Sequence, residues 1–232
     1  MNSNKLILLH GALGSQLQLM GLKAHLGHQF EVFSFDFEGH GSFASNKEFS
    51  IEGFAENLMH FIRINQLENC HIFGYSMGGY VALYLASQGD KTIKSVNTFG
   101  TKFHWNPKSA AMEVKMLDPD IIAEKVPRHA EHLRTIHSHN DWRAVLENTA
   151  QMMLSLGENP RLNEETLQSI EIPVLINIGD QDQMVSIDES QQTTDALKNG
   201  SLNILKGFQH PLEKNDLAHL SQIISNFISS QN

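Results

Sequence analysis

The stretch Gly74-Tyr75-Ser76-Met77-Gly78-Gly79 decides how this chain is read. Asn69 to Tyr75, with His71-Ile72-Phe73 at its centre, has the short apolar make-up of a strand. Met77 to Ser87, directly after it, carries apolar residues at helical spacing. A serine at so tight a strand-to-helix turn is pushed out of the sheet on strained backbone. Gly74 and Gly78 flank it because side chains there would collide with the neighbouring strand and helix. Ser76 also stands at a helix N-terminus, where free N–H groups and the helix dipole favour negative charge on an attacked carbonyl oxygen. Ser76 is therefore a candidate nucleophile.

Outward from this turn, short apolar runs alternate with longer helix-patterned stretches. Leu6 to Leu9, Phe30 to Phe35, Ile93 to Phe99, Val174 to Ile178 and Leu202 to Leu205 read as further strands. Ile51 to Leu67 and Leu212 to Ile228 read as helices. Such alternation predicts an α/β fold with a mostly parallel, doubly wound sheet covered on both faces. The rhythm breaks between Thr101 and Ile170, where no strand is evident. There Ala110 to Leu117, Ile121 to His137 and Trp142 to Leu156 read as helices, and Pro127 is expected to break or kink the second. We expect residues 101–170 to form a helical cap inserted between two late strands, and 1–100 with 171–232 to form the core.

A serine hydroxyl is a weak nucleophile until a histidine takes its proton, and that histidine needs a carboxylate to hold its tautomer. The strand Val174 to Ile178 runs into Gly179-Asp180-Gln181-Asp182, and the strand Leu202 to Leu205 into Gly207-Phe208-Gln209-His210-Pro211. Both loops follow strand C-terminal ends, where an open α/β sheet places its ligand site. His210 stands out among 13 histidines because it follows the last strand and precedes the last amphipathic helix. For the acid, Asp180 and Asp182 compete. Asp182 is favoured, because a turn from Gly179 leaves Asp180 placed to hydrogen-bond its own loop. The segment His10-Gly11-Ala12-Leu13-Gly14 ends the first strand in a glycine turn that can aim the Ala12 amide at a substrate oxygen beside that of Met77.

Composition narrows the partners. The 232 residues are 41% hydrophobic and 19% charged, as in a folded globular chain. A formal net charge of −9 argues against a nucleic-acid surface and gives no attraction to anionic lipid. Cys70 is the only cysteine, which rules out an intrachain disulfide and a Cys-rich zinc site. The apolar run Leu6 to Leu9 is too short for a signal-peptide core, and no stretch reaches transmembrane length. The expectation is a cytoplasmic protein, monomeric or a small homo-oligomer, that meets a small-molecule substrate and neither nucleic acid nor membrane. In the inserted segment, His129 and His132 fall one helical turn apart, but no Asp or Cys set completes a metal site.

Taken together, these motifs resemble the α/β-hydrolase superfamily in its small, capped, single-domain form. The resemblance spans nearly the whole chain. It rests on His10-Gly11-x-x-Gly14, Asp36-Phe37-Glu38-Gly39-His40-Gly41-Ser42, Gly74-Tyr75-Ser76-Met77-Gly78-Gly79, Gly179-x-x-Asp182 and His210-Pro211. It implies a Ser76, Asp182 and His210 triad, an oxyanion hole from the Ala12 and Met77 amides, and structural roles for Asp36 and His40. It also implies that the antiparallel strands which often precede the first motif strand are absent or reduced. The activity implied is that of a serine esterase working through an acyl-enzyme without metal or organic cofactor. Leu13, Tyr75, Trp105, Met112, Met116, Trp142, Met152 and Met153 either line a deformable apolar pocket or simply form core. Lys102 and Arg143 either meet an acidic substrate group or are solvated. Two other activities stay open. One is a cofactor-free lyase of menaquinone-type biosynthesis, although such enzymes tend to carry arginine where this chain has Tyr80. The other is a hydrolase-like receptor for a small molecule.

Overall fold

The computed structural model describes residues 4–231. Six strands form one sheet: β1 (Lys5–Leu9), β2 (Glu31–Ser34), β3 (Cys70–Tyr75), β4 (Ile93–Phe99), β5 (Val174–Gly179) and β6 (Gly200–Leu205). All neighbouring pairs run parallel, in the order β2-β1-β3-β4-β5-β6. The expected strands are all present, and no antiparallel strand occurs among the described residues. The chain starts inside the sheet, steps out to β2, then returns past β1 to β3. That reversal opens a crevice at the strand C-terminal ends, where the loops after β1 and β3 diverge.

The helices are α1 (Met20–Leu26), α2 (Ile51–Ile64), α3 (Met77–Ser87), α4 (Pro107–Val114), α5 (Pro119–Lys125), α6 (Pro127–Ile136), α7 (Trp142–Glu158), α8 (Glu164–Gln168), α9 (Ile187–Ala196) and α10 (Leu217–Ser229). Parallel strands buried on both faces read as continuous apolar runs, and β1 shows why. Its side chains alternate, so Ile7 and Leu9 pack into the core under α2 and α3, while Leu6 and Leu8 join Leu22 of α1 and Leu220 and Ile224 of α10. α2 begins at Ser50, whose hydroxyl accepts from the Gly53 N–H. The stretch Leu212 to Ile228 is not one helix. A 3-10 turn at Leu212–Lys214 comes first, and Asp216 then caps α10 by accepting from the His219 amide.

Between β4 and β5 come α4 to α8 and no strand. Pro107, Pro119 and Pro127 each open a helix at its first turn, where the missing N–H costs nothing. Pro127 thus divides Ile121 to His137 into α5 and α6. Trp142 and Leu146 of α7 pack with Ile122, Ala130 and Leu133 in a small cluster of their own. Val145, Met152 and Leu156 of the same helix belong to the main core. One long helix thereby ties the inserted segment to the sheet. No helix among the described residues is long and apolar enough to cross a membrane.

Candidate active site

The turn from β3 into α3 takes the form its glycines require. Ser76 sits at φ 50° and ψ −117°, a conformation that costs a non-glycine residue about 1–3 kcal/mol and persists only where surroundings enforce it. The enforcement is visible. The Ser76 N–H donates to the Phe99 carbonyl of β4 at 2.9 Å, and the Ser76 carbonyl accepts from the Thr101 hydroxyl at 2.9 Å and the Gly79 amide at 3.0 Å. A side chain on Gly74 would run into the backbone of Gly78 and Gly79, and one on Gly78 would come within 2.7 Å of the His10 carbonyl. These contacts leave Ser76 at the open end of the sheet. Met77 is the first residue of α3, so its N–H has no intrahelical acceptor.

The loops after β5 and β6 meet beside it. His210 Nδ1 lies 2.9 Å from Asp182 Oδ2, in a carboxylate side chain wholly removed from solvent. The other oxygen, Asp182 Oδ1, accepts from the Met184 and Val185 amides at 2.8 and 2.9 Å. Burial alone would raise the Asp182 pKa. The hydrogen bond and charge of His210, with those two amides, outweigh it and hold the carboxyl below its usual value. Asp180 instead accepts from the Gly207 amide at 2.6 Å, bracing the two loops against each other. With Asp182 on Nδ1, the neutral His210 ring has Nε2 left as its acceptor.

A narrow cavity of about 50 Å³ is shared by Ser76 and His210. Ala12, Ser76, Met77 and His210 line it, together with Trp105, Met152 and Met153. Lys102, one of the two cations expected either to meet a substrate or to be solvated, is also in the wall, and Ile51, Tyr80, Glu113, Leu156, Met184 and Val185 join it without having been foreseen from the sequence. The remaining expected pocket residues lie elsewhere. Met112 and Met116 are turned to solvent, 60% and 58% exposed. Trp142 is held between the guanidinium groups of Arg134 and Arg143 in the small α5–α7 cluster. Tyr75 is buried under the site, its ring against Phe99 and 5.7 Å from that of His210. Leu13, at φ 59°, opens onto a separate groove against α6. Lys102 is paired with Glu113 at 3.4 Å inside the wall, whereas Arg143 pairs with exposed Asp120. Tyr80 accepts from the Arg161 and Leu162 amides through its hydroxyl.

Behind the glycine turn after β1 lies a group of buried histidines. His10 accepts from the Phe37 amide at Nε2 (3.1 Å) and donates from Nδ1 to the Gly11 carbonyl (2.8 Å). His137, at the end of α6, accepts from the Gly41 amide at Nδ1 and donates from Nε2 to the Leu13 carbonyl. His40 stands between them, its ring 5.2 Å from His10 and 5.7 Å from His137. Desolvation lowers all these pKa values, that of His10 to about 4. Asp36 anchors the neighbouring loop through the Gln16 amide and the Ser42 amide and hydroxyl. The sequence contains these residues as a motif, but only the fold brings His137 to them. Among the described residues no cluster of His, Cys, Asp or Glu is arranged to hold a metal, and the His129 and His132 rings stack 6.5 Å apart.

Comparison with known proteins agrees with this architecture. A family model described as alpha/beta hydrolase fold matches residues 4–118. The chain is 25% identical over 257 residues to 3-oxoadipate enol-lactonase 1 of Acinetobacter baylyi, covering 98% of this chain and 87% of that one. An esterase from Thermogutta terrifontis superposes with a TM-score of 0.78 at 18% identity, over 98% of this chain and 90% of that one. MenH from S. aureus does so with a TM-score of 0.79 at 18% identity, over 100% and 95%. Residues 4–118 thus match the alpha/beta hydrolase family model, and the superpositions show that the chain as a whole has the α/β-hydrolase fold.

Proposed function

We propose that this protein is a serine hydrolase that cleaves a carboxylic ester of a small molecule through an acyl-enzyme at Ser76. The carrying observation is a strained serine facing a cavity shared with His210, whose second nitrogen is held by the buried Asp182 carboxylate. In this reading His210 takes the Ser76 proton as the oxygen attacks the ester carbonyl. The charge that forms on the carbonyl oxygen is met by the Ala12 and Met77 amides and the N-terminal end of α3. His210 then passes its proton to the departing alcohol. Water, activated by the same base, releases the acid and restores Ser76. Asp182 keeps the imidazole in the required tautomer and offsets its positive charge.

Residues 101–170 act as the cap in this scheme. Support comes from Trp105, Glu113, Met152, Met153 and Leu156, which close the cavity over the sheet loops. The narrow apolar space suits a short acyl group. Two of the relatives named above, the enol-lactonase and the esterase, act on lactone and ester bonds as their names state, which favours the same bond class here. An elimination reaction is less well supported, because Tyr80, at the position where such lyases tend to carry arginine, spends its hydroxyl on backbone amides.

The test is turnover of short-chain nitrophenyl esters together with labelling by a fluorophosphonate. Turnover with Ser76 labelled is expected, and Ser76→Ala should lower kcat by about 10⁴-fold or more. A protein that neither hydrolyses these esters nor takes the label is not this enzyme. Labelling without turnover would move the assignment to a lyase or a receptor.

A further inference from the structure

Apart from Ser76, His210 and Tyr80, the wall of the Ser76 cavity is apolar except for one ion pair. Lys102 leaves the sheet just after β4, and Glu113 comes from α4 in the inserted segment. Lys102 Nζ stands 3.4 Å from Glu113 Oε1, with side chains 18% and 13% exposed. The ammonium also lies over the Trp105 ring, 5.8 Å from its centroid, and the Trp105 indole N–H donates to the Lys102 carbonyl at 3.2 Å. Lys102, Trp105 and Glu113 all face the cavity that Ser76 faces. A cation so near the nucleophile would ordinarily mark a site for acidic substrates. Here its charge is already answered.

We infer that Glu113 masks Lys102, so that the site selects esters with an uncharged acyl group, and that Lys102 is a latent carboxylate-binding residue. This rests on the serine-hydrolase reading of Ser76. A carboxylate entering the cavity must shed its water, which costs several kcal/mol unless a free partner awaits it. The only lysine or arginine in the wall is Lys102, and a second anion beside it meets Glu113. An acyl group bearing an ammonium meets the converse problem at Lys102. Only an uncharged chain enters without disturbing the pair, and the surrounding Ile51, Met152, Met153 and Leu156 reward its burial. The pair also ties the loop after β4 to α4, so one substitution alters charge recognition without touching Ser76, His210 or Asp182.

The experiment compares kcat/KM for p-nitrophenyl butyrate with that for p-nitrophenyl hemisuccinate, which adds one negative charge at similar length. The wild-type protein should favour the butyrate by about a hundredfold. Glu113→Gln should narrow that ratio at least tenfold through faster use of the hemisuccinate, and adding Lys102→Met should abolish the gain. A wild-type preference for the hemisuccinate overturns the inference, as does a ratio that Glu113→Gln leaves unchanged. Binding of the same two esters to Ser76→Ala protein, followed by tryptophan fluorescence, separates the two claims. If the butyrate ester binds selectively to Ser76→Ala protein while the wild-type protein turns neither ester over, the charge mask stands and the hydrolase reading falls. If Glu113→Gln does not fold, the wild-type ratios in turnover and binding decide the matter alone.

Discussion

His210 and the group His10, His40 and His137 are all withdrawn from solvent, yet they are wired in opposite ways. His210 has a carboxylate on one nitrogen and a cavity beside it. His10 and His137 have both nitrogens engaged by main-chain groups, one accepting and one donating. A ring wired like His210 can take a proton, because Asp182 stabilises the charge and an acceptor nitrogen is left. A ring wired like His137 cannot, because protonation would turn an acceptor into a donor facing an amide N–H. On the proposed mechanism the surroundings, not the residue type, divide base from brace.

The sharpest way to break this division is to remove His210. On the proposed mechanism, His210→Ala lowers kcat by about 10⁴–10⁶-fold in ester turnover while the protein stays folded. A loss below a hundredfold would mean that the proton goes elsewhere. Next in size is the carboxylate. Asp182→Asn should cost about 10³–10⁴-fold, because an amide no longer offsets the imidazolium charge. Asp180→Asn keeps an acceptor for the Gly207 amide and should cost less than about tenfold. Equal losses at the two positions would undo the assignment of the acid.

How much of this was legible beforehand follows the same division. The strands, the serine turn and the two partner loops are local patterns: a short apolar run, then Gly, Asp or Ser at a fixed offset. These survive in one sequence because backbone geometry demands them, as at Gly74 and Gly78. Turn chemistry favours Asp182 over Asp180, although Asp180 serves the β6 loop rather than its own. The cavity wall was harder. Met112 and Met153 look alike in sequence, but one faces solvent and the other the site, because helix rotation is set by tertiary packing. α9 was invisible to apolar periodicity, since it buries Glu189, Ser190, Thr193 and Thr194 instead. The Glu189 carboxylate accepts from the Phe103 and His104 amides after β4, a contact 86 residues apart in sequence for Phe103. Lys102 has no sequence signal that distinguishes a cavity wall from solvent; its partner arrives only with α4.

Acid offers a milder test of the bracing histidines. Their folded pKa values lie below the ordinary 6.5, so the unfolded chain takes up protons first as pH falls. Stability is therefore complete above about pH 6.5 and is lost progressively toward the folded value, near pH 4 for His10. For His10 alone the loss is on the order of 3 kcal/mol. His71 in β3, lowered to about 4, adds to the same window. Asp36 and Asp182 have lowered values instead, so their contribution disappears only below about pH 4. Urea midpoints measured from pH 7 to 4.5 should fall steadily. A flat profile would show that these rings keep their ordinary pKa in the folded protein.

The smallest effect is expected at His137, and it probes the boundary between the two kinds of histidine. Its Nε2 holds the Leu13 carbonyl at 3.1 Å, and Leu13 follows the Ala12 amide proposed for the oxyanion hole. His137→Phe keeps the ring volume but strands the Leu13 carbonyl and the Gly41 amide, which should cost about 1–3 kcal/mol of stability. Activity should drop less than about tenfold, since positioning of one donor is loosened and no reacting group is lost. The drop should appear in kcat, because the Ala12 amide is needed most when charge sits on the carbonyl oxygen. A fall of a thousandfold with unchanged stability would place His137 within the reacting groups, and the separation of base from brace would no longer hold. A fall in stability with kcat intact would keep His137 a brace of the fold and detach it from the oxyanion loop.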